Sequence, residues 1–111
     1  MEESILVTIK KLLGIEKTYK AFDTDIIAHI NTAFLDLNQI GVGPADGFMI
    51  EDDKAVWSDF IGDNKKLNPV QTYIYLSVKL VFDPPLNSSV LESNKQTLTK
   101  LEWRLNVEAD K

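Results

Sequence analysis

The sequence predicts a mainly α fold: a small bundle of four to five helices, with an irregular loop or short strand pair between the second and third. Three observations carry this. Apolar residues recur at intervals of three and four in successive segments of the 111-residue chain. Glycines, prolines and short polar residues stand where those segments would begin and end. The stretch from 42 to 51, Val-Gly-Pro-Ala-Asp-Gly-Phe-Met-Ile-Glu, breaks the helical rhythm and holds only a three-residue apolar run.

The first helix is predicted over residues 5 to 13, with Ile5, Ile9, Leu12 and Leu13 as its apolar stripe. Gly14 supplies a left-handed stop, and Ile15 can fold back on the last turn. A second helix starts at Asp23 or Thr24, either of which can accept a bond from an orphan N–H, and Asp25 suits the positive end of the helix dipole. Its stripe is Ile26, Ile30, Ala33, Leu37 and Ile40, and Gly41 ends it. Ile27 and Phe34, one heptad apart and offset from that stripe, suggest that this helix touches a second neighbour.

A brief helix is expected from Asp53 to Ile61, with Val56, Trp57, Phe60 and Ile61 on one side and Gly62 as its stop. Asn68-Pro69-Val70-Gln71 then reads as a cap, a preorganised first residue and a capping-box glutamine. From Val70 to Phe82 only Thr72, Ser77 and Lys79 interrupt the apolar character, so this helix is predicted to be buried. Asp83 precedes Pro84-Pro85 and cannot continue it. The last helix starts at Ser88 or Ser89, with Ser89 and Glu92 at capping-box spacing and Leu91, Leu98, Leu101 and Leu105 in one stripe. Trp103 and Val107 fall on the opposite side, where an exposed apolar pair costs solubility unless something covers it.

Composition excludes several function classes. There is no cysteine, hence no disulfide, thiolate catalysis or cysteine-ligated metal. The longest apolar runs are far too short to span a membrane, and Met1-Glu2-Glu3 has the wrong sign for a cationic leader, so a soluble, cytoplasmic chain is expected. The formal charge of -5 is unevenly placed: residues 23 to 63 carry nine acids against Lys54 alone. With Arg104 as its only arginine and no basic run beyond two adjacent lysines, the chain lacks the cationic cluster that grips duplex DNA. The acidic middle reads either as a solvated surface or as a negative face past which an anion must move without sticking.

Catalysis has no constellation to carry it. His29, the only histidine, sits mid-helix off the main stripe, and no Gly-x-Ser-x-Gly elbow presents a serine to it. Asp46, Glu51, Asp52 and Asp53 supply oxygen ligands without the spacing of a calcium loop. Gly41-Val42-Gly43 follows a helix and meets Pro44, so it does not cradle phosphate. Trp57, Phe60, Tyr73 and Tyr75 lack interleaved cations and read as core or interface.

Three segments in order are Lys11-Leu12-Leu13-Gly14-Ile15, the capped helix Asp23 to Asn38, and Tyr73-Ile74-Tyr75-Leu76-Ser77-Val78-Lys79-Leu80-Val81-Phe82-Asp83-Pro84-Pro85. With Trp57-Ser58-Asp59-Phe60 before the long helix and Phe-Asp-Pro-Pro closing it, the chain resembles the small head-tail connector, or head-completion, proteins of tailed bacteriophages. The resemblance runs over most of the chain, and Phe-Asp-Pro-Pro is its most specific piece. It implies one connector-like domain over residues 1 to 111, without cofactor or membrane association. It further implies a dodecameric ring that forms under the portal after DNA packaging, in the host cytoplasm, and stays in the virion. That ring extends the channel for duplex DNA and offers a docking surface to the next connector or tail protein. On this reading Asp46, Glu51, Asp52 and Asp53 face the channel, and Ile27, Phe34, Trp103, Arg104 and Val107 meet neighbouring subunits or partners. The competing classes are a helical regulatory or interaction module that forms no ring, and a metal-dependent hydrolase using the acidic group.

Overall fold

The computed structural model describes residues 4–62 and 69–109, and the expected Asn68 cap lies outside them. Five helices run in order among the described residues: α1 (Ile5–Leu13), α2 (Asp23–Gln39), α3 (Trp57–Ile61), α4 (Pro69–Phe82) and α5 (Ser88–Ala109). Helix α4 lies at the centre, against α1, α2 and α5. Its Val70, Tyr73, Ile74 and Val78 are buried beside Ile5 and Ile9 of α1, Ile26, Ile30 and Leu37 of α2, and Leu101 and Leu105 of α5, in one continuous core. A helix apolar almost all round ends up central because neighbours are needed on several sides to take its side chains out of water. The burial is not complete, since Val81 stays exposed.

Helix α1 keeps its predicted limits but presents a different face. Ser4 caps it by accepting from the Val7 N–H at 3.2 Å. Gly14 takes the left-handed conformation, φ 82°, and the Ile15 N–H reaches the Lys10 carbonyl at 2.8 Å. Leu12, expected in the stripe, is exposed, while Leu6 and Lys10 are buried. The cause is Lys10, only 1% exposed. Its ammonium lies 2.8 Å from Asp23 Oδ1 and donates to the carbonyls of Tyr19 (2.6 Å) and Lys17 (3.2 Å). Turning Lys10 inward rotates Leu12 out.

The same contact revises the start of α2. Asp23 is the first helical residue rather than the cap; Phe22 holds the cap position without a side-chain bond. Asp23 Oδ1, buried and without a conventional hydrogen bond, has the Lys10 ammonium as its counter-charge. At the far end Gly41 turns the chain so that the Val42 N–H bonds the Leu37 carbonyl at 2.9 Å and the Val42 side chain enters the core.

Between α2 and α3 there is an irregular loop and no strand pair. Among the described residues the one β-bridge joins Ser4 to Val56, with the Ile5 N–H on the Ala55 carbonyl at 2.9 Å. Helix α3 starts at Trp57, four residues later than expected, because the Asp52 carboxylate turns the preceding backbone by accepting from the Lys54 N–H at 2.9 Å. The Asp59 carboxylate then accepts from the Val56 N–H at 3.0 Å. Helix α5 is capped by Asn87, whose Oδ1 accepts from the Ser89 N–H at 2.8 Å, so Ser88 and Ser89 already belong to the first turn.

Candidate functional site

With the core closed, the side chains left over define what the molecule can meet. Helix α5 buries Leu101 and Leu105 against α4, so Trp103, two positions from each, points away from it. Two polar contacts hold that rotation. The Tyr73 hydroxyl donates to Glu102 at 3.2 Å, and the Asn106 amide donates to the Ile40 carbonyl at the end of α2 at 2.7 Å. Trp103 is consequently 67% exposed, with Val107 one turn on and Lys100 and Arg104 exposed beside it.

Burial raises the pKa of the Tyr73 hydroxyl, and the negative charges of Glu102 and Asp36 raise it further. The phenol therefore stays protonated and keeps donating to Glu102 throughout the neutral range.

The second surface is built on α2. The Asn31 side chain accepts from the Ile50 N–H at 2.8 Å and donates to the Ile50 carbonyl at 3.0 Å, copying the pairing of a neighbouring strand. One heptad on, the Asn38 amide donates to the Pro44 carbonyl at 3.2 Å. These amides hold the 44–50 loop along the helix and leave an open groove of about 840 Å³ between them. Its apolar lining includes Ile27, Leu35, Phe48 and Met49, of which Leu35 is 57% and Met49 72% exposed; Asp46 is its one charged lining residue.

Ile27 and Phe34, expected on one offset face, are separated. Ile27 is half-buried at the groove. Phe34 is fully buried, one turn from both Ile30 and Leu37, and its ring packs on Phe60 and Phe48 at centroid distances of 4.6 and 4.9 Å. The loop folds back over that side of α2, so Phe34 has no surface to offer a neighbour. Of the other aromatics, Phe60 and Tyr73 are core residues, while Trp57 and Tyr75 pack against the core partly buried.

The acidic residues do not converge. Asp46 belongs to the groove, whereas Glu51, Asp52 and Asp53 are exposed on the segment beyond Ile50, where Asp53 lies 3.9 Å from Lys20. Among the described residues no three acidic or histidine side chains are grouped as a metal ion would require. His29 is half-buried on α2 and outside the groove lining.

A family model described as phage connector protein matches residues 5–111. The chain belongs to the phage connector protein family. No curated protein and no solved structure matches it. Phage connectors are structural proteins that associate with other head and tail components, and that gives the uncovered apolar surface of this connector a context. No helix among its described residues is long and apolar enough to cross a membrane.

Proposed function

We propose that this connector is a head-completion subunit, residues 1–111 acting as one domain, that assembles as a closed ring beneath the portal. In that role it extends the DNA channel and offers its far side to the next connector or tail protein. The observation that carries the reading is the apolar face of Trp103 and Val107, left in water on a chain whose family exists to join other virion proteins. Exposed aromatic surface beside an arginine is typical of contacts that are later covered. Trp103, Arg104 and Val107, with Ile27 at the groove, are assigned to contacts with neighbouring subunits or partners. Glu51, Asp52 and Asp53 are assigned to the channel, where their charge repels the DNA backbone and lets it slide; Asp46 is assigned to the groove.

Electron microscopy of the purified protein mixed with its phage's portal tests this directly. A ring seated on the portal is expected, and a monomeric adduct or no complex would leave the non-ring interaction module in its place. The double variant Trp103→Ala, Val107→Glu is expected to fold normally and to lower the yield of completed heads at least about tenfold, the loss typical of an interface anchor. An unchanged yield would remove this face from the assembly contact.

A further inference from the structure

Two apolar surfaces of opposite shape are left unpartnered among the described residues. One is concave, the groove between α2 and the 46–49 loop; the other is convex, the outer face of α5. Both helices pack on α4, and each surface lies on the side of its helix turned away from that contact, so one chain cannot close them on each other. Their charges are complementary. Asp46 lines the groove, and Asp25 stands exposed on the adjoining flank of α2. Trp103 has Lys100 one turn before it and Arg104 next to it, both exposed. A groove of about 840 Å³ with Leu35 and Met49 open to solvent suits a turn of helix with its side chains.

We infer that the groove of one copy receives the Trp103–Val107 face of α5 from a second copy. This rests on the ring reading and names its subunit contact. The indole and Val107 cover Ile27, Leu35, Phe48 and Met49, while Arg104 approaches Asp46 and the acidic flank, with Lys100 at the rim of the contact. Because the two surfaces differ, the contact is heterologous: each copy uses its groove on one side and its α5 face on the other, and the chain of contacts either closes into a ring or runs on as a filament.

The absence of native cysteine makes the test specific. A double variant, Thr32→Cys at the groove and Lys100→Cys on α5, is treated with a short bis-maleimide, both free at high concentration and mixed with portal. A ladder of linked copies is expected from the double variant, and nothing beyond dimers from a mixture of the two single-cysteine variants. Adding Leu35→Lys or Trp103→Ala to the double-cysteine background should lower the linked yield at least about tenfold. Both of these sites are exposed, so unchanged circular dichroism will confirm the fold. Rings visible on the portal without any 32–100 linkage would overturn this contact while leaving the ring reading intact. A 32–100 linkage in free protein that never forms rings on the portal would support the contact and sink the ring reading. Absence of the linkage under both conditions overturns the inference.

Discussion

Lys10 organises more of the molecule than its place in a short amphipathic helix suggests. Its ammonium serves the Asp23 carboxylate and two carbonyls of the intervening connection, so one side chain sets the rotation of α1, the course of residues 16 to 22 and the start of α2. Replacing it by Met keeps most of the buried stem and removes the charge, leaving a partly buried carboxylate and two carbonyls without their donor. The expected loss is about 2–3 kcal/mol, below the full cost of a broken buried pair because Asp23 keeps some water access. Urea unfolding will measure it, and Asp23→Asn should cost much less in the Met background than in wild type. A second residue-level prediction concerns pH. The fold raises the pKa of Tyr73, so its contribution to stability is full below the ordinary tyrosine value of about 10 and fades as pH climbs above it. The stability difference between wild type and Tyr73→Phe should therefore be constant near neutrality and shrink in alkali. A difference that stays level up to pH 11 would contradict that.

At the scale of elements, the loop between α2 and α3 is held as firmly as a strand would be. Asn31 pairs with both backbone groups of Ile50, Val42 and Ile50 insert into the core, and Phe34, Phe48 and Phe60 pack as a three-ring cluster. Gly43 makes the cluster possible. At φ 90° it passes so close to Phe60 that a Cβ would overlap the ring. Gly43→Ala combines left-handed strain with that overlap and should destabilise the protein by about 2–4 kcal/mol. Thermal unfolding will show it, and a loss under 0.5 kcal/mol would mean that the ring moves aside freely.

For the whole molecule, charge is segregated: the acids concentrate between residues 23 and 63, and the cations beside Trp103 lie on α5. In the proposed ring, segregation of this kind lets one subunit present different signs to a neighbour and to DNA. Reversing Glu51, Asp52 and Asp53 to Lys removes no buried contact, since all three are exposed, but it deletes the Asp52 turn bond to the Lys54 N–H and the Asp53–Lys20 pair, so stability should fall by about 1 kcal/mol. Genome exit should slow, because the new cations would bind passing phosphates. Ejection followed by a DNA-binding dye will read the effect, and unchanged kinetics would place these residues away from the channel.

Periodicity, glycine stops and the double proline were enough to define α1, α2, α4 and α5, because short-range sterics and local hydrogen bonds decide where a helix begins and ends. The uncovered Trp103–Val107 face was legible for the same reason: a helix of 22 residues with a leucine stripe on one side must turn its opposite side outward. Residues that act across long separations were not legible. Asn31 on Ile50, Asn106 on Ile40, Trp57 on Thr8 and Tyr73 on Glu102 are polar pairs from distant parts of the chain, and no local pattern marks them. The inward turn of Lys10 was settled by Asp23 and the 16–22 connection, and the burial of Phe34 and the groove beside Ile27 only when the loop closed over α2. The sequence by itself determined four of the five helices and the apolar stripes of α2 and α5; tertiary packing decided the buried face of α1, the start of α3 and which leftover side chains face water, since burial depends on what the rest of the chain brings to a surface.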